Sequence, residues 1–331
     1  CKRTSGGDVV KIAVLFSQGA GKKSLYGQIG DSLSRKLSGH KIYTYSGDFG
    51  QSYIEKAEIL SGEMPRDYKL MMRKLTHALA EVEPDLFITV GGDGLAAYVA
   101  DALITGGYCV PVMGIAGGTA NVGPIVSINP EDLDGLDFQN LTFKKIGAIE
   151  VLEESNHISY GFNDVVISNT FLGTDDGKMV SLSVREMVEK GEKKIDQPSR
   201  NITTMEFSIR KDERILDHCI KRPAQIVISP LEVDKFYGRA VTGALCMSAF
   251  SEYKAAVALL NETVIDTGGG NKGIDSFIGV EHILFSKDEI VSISGLSDDG
   301  QIVIDGNPYL RSNETVTFKY RPDLIKIVTP K

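Results

Sequence analysis

Two rhythms of apolar residues divide the chain. Up to about residue 145, short apolar runs alternate with stretches in which apolar positions recur every three or four residues. Residues 9–16, VVKIAVLF, read as a buried strand; the glycine loop SQGAGKK follows, and a helix runs on from about Ser24. KIYTYSG predicts a second strand. From Arg66 to Glu83, Tyr68, Met71, Met72, Leu75, Leu79 and Val82 keep helical spacing, so this helix should pack on a sheet, with the methionine pair as core filling. LFITV is the next strand and LAAYVADALI the next helix, with Leu95, Val99 and Leu103 spaced for one face. CVPVMGIA is a further strand, running into GGTANVGP. Such alternation implies a parallel sheet with right-handed crossovers.

After about residue 145 the period shortens. ISYGFNDVVIS, NITTMEFSIR, AQIVISP, AVALLNETVID, IVSISGL, QIVIDG and VTFKYR are short, rich in β-branched residues and separated by turn residues, which predicts mostly antiparallel β structure. Only MVSLSVREMVEKGEKK reads as helix, and its VEKGEKK end as a solvated terminus. Ser229-Pro230 marks a strand end, because proline cannot donate to a sheet ladder. The expected organisation is an α/β nucleotide-binding domain over residues 1–145 and a β-rich acceptor-binding domain over 146–320. A terminal segment, 321–331, contains RPDLIKIVTP, read as a strand returning to the first domain.

Composition narrows the function classes. The chain has 331 residues, 42% hydrophobic and 24% charged, enough for two proper cores. A net charge of -8 argues against nucleic acid as the main partner, which would need a basic footprint. Cys1, Cys109, Cys219 and Cys246 show no metal-ligand spacing; Cys109 and Cys246 lie in apolar, strand-like sequence where buried thiols are common. The histidines, His40, His77, His157, His218 and His282, form no pair at zinc-ligand spacing. No apolar run approaches a membrane span and no leader opens the chain, so the expectation is a cytoplasmic protein with reduced thiols and no integral membrane segment. A β-rich half with sheet edges also suggests a homo-oligomer.

The chemistry concentrates in glycine loops. VGGDG, before LAAYVADALI, is a strand-to-helix loop, the kind that sits at the carboxyl edge of a parallel sheet where α/β proteins bind ligands and helix N–H groups favour anions. Asp93 is conspicuous there: it is either an N-cap or a group that deals with a metal ion or a hydroxyl proton beside phosphates. GIAGGTAN, Gly114 to Asn121, repeats the arrangement with Gly117, Gly118, Thr119 and Asn121. The earlier SQGAGKKS is no Walker A loop, since Phe16 stands where that motif needs glycine and Lys23 where it needs Ser or Thr. Gly19, Gly21 and Lys22 still suit a phosphate loop, a solvated turn being the alternative. DTGGGNKG, Asp266 to Gly273, reads as a plain loop. No glycine loop has the GxGxxG spacing with an acidic residue about twenty positions on, which excludes a dehydrogenase.

A glycine loop near the start, GGDG after a strand, GGTAN about twenty-five residues later and VIDGNPYL near the end together resemble the superfamily of NAD kinases and the diacylglycerol and sphingosine lipid kinases. That resemblance covers most of the chain in order. It implies an α/β domain, a β-sandwich-like domain, ATP bound between them with Mg²⁺, and phosphoryl transfer to an alcohol. Carried over residue by residue, Asp93 matches the base or metal-organising carboxylate. Gly91, Gly92 and Gly94 match the nucleotide loop, and Gly117, Gly118, Thr119 and Asn121 the second phosphate or ribose loop. NDVVIS resembles the Asn-Glu strand with which NAD kinases hold the dinucleotide, Asn163 and Asp164 taking those places, and Asp305-Gly306 resembles the tail shared by both branches. The chain departs from the pattern where Leu95 replaces the usual Thr after GGDG. In VTGALCMSAF only Thr242 and Gly243 align with the NAD kinase signature. The favoured acceptor is the NAD 2′-hydroxyl, giving NADP; the alternatives are a lipid or other small-alcohol kinase, for which GTAN speaks, and a nucleotide-binding sensor without catalysis, for which Leu95 does.

Overall fold

The computed structural model describes residues 10–18, 23–118, 121–175, 178–231, 244, 252–265 and 277–330. Contacts group the chain into two units, one of residues 1–146 with 323–331 and one of residues 147–322.

The first unit contains β1 (Lys11–Phe16), α1 (Lys23–Lys36), β2 (Lys41–Tyr45), β3 (Glu58–Leu60), α2 (Tyr68–Ala80), β4 (Leu86–Gly91), α3 (Asp93–Thr105), β5 (Val112–Ala116) and β6 (Val126–Ile128). Their sheet runs β3-β2-β1-β4-β5, every neighbouring pair parallel. Because both faces are covered, β1 and β4 read as unbroken apolar runs rather than alternating ones. Ile12, Val14 and Phe16 join Tyr26, Ile29 and Leu33 of α1 in one core, while Ala13 and Leu15 are buried on the opposite face. On α2 the buried side is Met72, Leu75, Thr76, Leu79 and Ala80, and Tyr68 is exposed, so the predicted stripe is displaced at its start. The α3 helix departs further from expectation: every residue from Leu95 to Leu103 is buried, since small alanines allow close packing all round. Cys109, expected inside a strand, is exposed in the connection before β5.

The second unit contains the end of β7 (Thr142–Glu153), β8 (Asn156–Gly161), β9 (Val165–Ser168), β10 (Thr170–Asp175), β11 (Lys178–Ser183), α4 (Val184–Lys190), β12 (Thr203–Lys211), β13 (Arg214–Leu216), β14 (Gln225–Pro230), β15 (Ala255–Leu260), β16 (Val280–Phe285), β17 (Ile290–Leu296), β18 (Gln301–Ile304), β19 (Asn307–Tyr309) and the start of β20 (Thr315–Thr329). It is antiparallel throughout its recorded registers, as expected. One sheet runs β16-β15-β14-β9-β18-β19; β13, β12, β17 and β20 follow one another in a second. Ile167, Ile226, Val257 and Ile302 of the first share a core with Ile209, Val291, Ile293 and Phe318 of the second, which makes a sandwich. The intervening Val166, Val227, Ala256 and Val303 point the other way, into a core with Phe171, Leu182 and Val184. The segment expected to be one helix from Met179 is therefore a strand as far as Ser183, paired with β10, and only Val184–Lys190 is helical. Pro230 closes β14, in line with the proline reading.

The last strand, β20, passes from the second unit to the first: Lys319 pairs with Ile290 of β17, and Ile327 pairs in parallel with Val112 of β5.

Candidate active site

In the first unit, β1, β4 and β5 are adjacent, so the loops that follow them leave from one sheet edge. Phe16 lies level with Val90, and Gly91 with Ala116. The ladder extends one step beyond the strands: Ser17 N donates to Val90 O at 2.9 Å and Gly117 N to Gly91 O at 2.8 Å. Close approach explains most of the paired glycines. A Cβ on Gly91 would stand 2.8 Å from Ser17 Cβ, and one on Gly118 would stand 2.8 Å from Gly92 Cα. Gly91, Gly117 and Gly118 thus serve the seating of loop upon loop, whereas a Cβ on Gly92 would meet its neighbours at an ordinary 3.7 Å.

Asp93 is the first residue of α3, and Gly92 is its cap, without a side-chain cap bond. The N-cap alternative is thereby removed. The Asp93 carboxylate instead crosses to the second loop, where Oδ2 accepts from Val122 N at 2.7 Å and Gly123 N at 2.9 Å. Its Oδ1 is buried and has no hydrogen-bond partner. Asn121 repeats this division, donating from Nδ2 to Gly118 O at 3.3 Å while its Oδ1 is likewise buried without a partner. Burial pushes the Asp93 carboxyl above the usual carboxylate range, and the two N–H donors pull against it. Two bare acceptor oxygens beside a helix N-terminus call for a donor or a cation.

Leu95 is buried, lying against Gly91, so the hydroxyl expected at this position is replaced by packing. Gly94 is in the first turn of α3. Gly19, Gly21, Lys22 and Thr119 lie outside the described residues, as do Thr242, Gly243, the loop from Asp266 to Gly273, Cys1 and Cys246. Sequence reading missed Ser17, whose hydroxyl meets those of Tyr26 and Tyr68; desolvation of the phenol oxygens lifts Tyr26 to about 12 and, although the Tyr68 ring is partly exposed, Tyr68 in the same direction. The only signal was its place directly after β1.

In the second unit, Asn163 and Asp164 form the corner before β9, Asn163 buried and Asp164 half-buried. Asn163 Nδ2 donates to Asp164 Oδ2 at 3.0 Å. The carboxylate of Asp305 accepts from the N–H groups of Phe162, Asn163 and Asp164, which no sequence signal indicated.

Among the described residues no group of three or more His, Cys, Asp and Glu is placed to hold a metal, and no helix is long and apolar enough to cross a membrane. The bare oxygens of Asp93 and Asn121 suit a hard divalent cation, which takes oxygen ligands, as part of a shell completed by another molecule.

The fold is that of known kinase structures. Yeast NADH kinase, solved with NADH, superposes with a TM-score of 0.53 at 11% identity, covering 98% of this chain and 85% of that one. A diacylglycerol kinase from Bacillus anthracis str. Sterne superposes with a TM-score of 0.51 at 10% identity, covering 98% of both chains. In sequence, an uncharacterized protein of Archaeoglobus fulgidus is 29% identical over 291 residues, 84% of this chain and 87% of that protein. No family model matches. The expected likeness to the NAD kinase and diacylglycerol kinase fold is thus present over nearly the whole chain.

Proposed function

We propose that the protein is an ATP-dependent kinase that transfers a phosphoryl group to an alcohol, with the NAD 2′-hydroxyl as the favoured acceptor. The observation that carries this reading is the Asp93 carboxylate, one oxygen spent on the second glycine loop and the other buried and bare at the mouth of the sheet. Phosphoryl transfer asks a protein chiefly to position the reactants and offset developing charge. Backbone N–H groups of the loops carrying Gly91, Gly92, Gly94, Gly117 and Gly118, with Gly19, Gly21 and Lys22, would cradle the phosphates. Thr119 and Asn121 would hold a phosphate or the ribose. Mg²⁺ carried in with the nucleotide would neutralise phosphate charge. Asp93 Oδ1 would accept the hydroxyl proton of the acceptor, and Asn163 with Asp164 would hold the ribose diol.

A second reading, a lipid or other small-alcohol kinase, has its own support in the exposed apolar side chains Phe277, Ile278 and Val280. Purified protein with Mg²⁺-ATP, assayed against NAD, diacylglycerol and sphingosine, separates the two. NADP formation is the expected result. Turnover of a lipid alone moves the assignment to the second reading, and ATP binding without turnover of any of these acceptors favours the nucleotide-binding sensor.

A further inference from the structure

We infer that Asp305 is a positioning residue for the acceptor: its carboxylate fixes the backbone of residues 162–164 and so sets how the Asn163 and Asp164 side chains are presented to a diol. This rests on the proposed role of that pair in holding the acceptor.

The hairpin β18–β19 alone does not require an acid at this place. Ile304 pairs with Asn307, so Asp305 and Gly306 form a two-residue turn, with φ of 48° and 80°. Both values lie in the left-handed region that such turns demand, and Asn-Gly serves them as well as Asp-Gly. The carboxylate has a separate task. It is buried, Oδ2 accepting from Phe162 N at 2.8 Å and Oδ1 from Asn163 N at 2.8 Å and Asp164 N at 3.0 Å. Asp305 N returns a bond to Asp164 O at 3.0 Å. Three successive N–H groups closing on one carboxyl group make a concave nest. From β14, Ser229 Oγ donates to Asn163 O at 2.5 Å, so the corner is gripped on its N–H and carbonyl sides alike. β9 starts at once, Val165 pairing with both Ile304 and Ile228. The backbone of the corner is therefore held by residues that stand 66 and 141 or more positions away in the chain.

An asparagine at 305 would keep the turn and break the nest, because its NH₂ group would face an N–H donor in place of one acceptor oxygen. Keeping the acid is expensive. Burial and the Asp164 carboxylate raise Asp305 to about 8, against the pull of the three N–H donors. An acid buried at this cost, where the neutral amide suits the turn equally well, points to a demand on the position of residues 162–164.

The test compares the full chain with Asp305→Asn and Ser229→Ala, using NAD and ATP as separate probes in calorimetry at pH 6 and pH 8.5, with amide exchange read at residues 162–164. For Asp305→Asn the expected outcome is NAD affinity reduced ten-fold or more at pH 8.5 and ATP affinity within two-fold. The NAD loss should be smaller at pH 6, where the protonated acid and the amide present the same kind of donor. Exchange at 162–164 should be faster. Ser229→Ala, which removes one bond and leaves the nest, should weaken NAD in the same direction by less, and it stands in if Asp305→Asn does not fold. Equal losses for NAD and ATP, or unchanged NAD affinity with unchanged exchange, overturn the inference. NAD that binds as described but is never phosphorylated refutes the proposed reaction and leaves the positioning role supported; NAD that does not bind the natural protein overturns both.

Discussion

Two aspartates, Asp305 buried and Asp93 half-buried, show how differently a carboxylate can be spent. Asp305 uses both oxygens on backbone donors, whereas Asp93 uses only Oδ2 and leaves Oδ1 bare. An asparagine at 93 can put its carbonyl oxygen where Oδ2 stands and keep both loop bonds. Asp93→Asn should therefore fold normally and hold ATP while losing turnover by roughly 10²–10⁴-fold, the usual worth of a positioned proton acceptor. Burial raises the Asp93 carboxyl, and only the ionised form accepts a proton. The acid limb of kcat/KM for the natural protein should then lie above the ordinary carboxylate value of about 3.9, with activity rising as pH passes through it, and the residual activity of the variant should lack that limb. Initial rates from pH 4 to 9 read both; a variant with near-normal turnover removes Asp93 from the chemistry. The sequence marked Asp93, because an acid in a loop suited to anions is conspicuous by itself. It did not mark the nest of Asp305, whose partners are fixed by tertiary pairing more than a hundred residues away.

At the scale of elements, α1 offers two glycines with opposite surroundings. A Cβ on Gly27 would meet nothing within 4 Å, while one on Gly30 would stand 2.1 Å from Tyr53 O. Both substitutions gain the same helix propensity, about 0.5–1 kcal/mol for alanine over glycine. Gly27→Ala should therefore raise stability by about that amount, and Gly30→Ala should lower it by ~1–3 kcal/mol, the usual cost of overpacking. Urea unfolding of both variants checks this, and a stabilised Gly30→Ala would contradict the contact with Tyr53. The same balance of local signal and packing decides what was legible. The β–α alternation before residue 145 could be read because strand and helix periods differ and the connections are short. The segment from Met179 could not: a strand and a short helix abut at Ser183 and Val184 with no glycine or proline between them, and the helical end coloured the whole. One apolar face was expected of α3, and burial on all sides hides in its alanines, which periodicity counts weakly. Tyr68, assigned to the inner stripe of α2, joins instead the hydroxyl contact with Ser17, a pairing between elements that no spacing rule records.

At the scale of the whole molecule, the two units are not consecutive in the chain, because the first takes back residues 323–331 after the second has been completed. The returning segment is part of the first unit's framework. Ile325, Ile327 and Val328 are buried to 6%, 2% and 0% exposure, Ile327 pairs with Val112 of the parallel sheet, and Ser127 Oγ donates to Val328 O at 2.7 Å. Burying three such side chains is worth about 1.5–3 kcal/mol each, together of the same order as the 5–15 kcal/mol that typically holds a domain folded. Deleting residues 323–331 should therefore unfold the first unit and spare the sandwich, whose core of Ile167, Ile226, Val291 and Phe318 lies wholly within residues 147–322. Limited proteolysis followed by mass mapping reads the result directly: cleavage spread through residues 10–146, with a protected fragment covering the sandwich, is the expected pattern. An equally resistant first unit would mean that β4 and β6 hold β5 without β20, and that the returning strand supplies little of its stability.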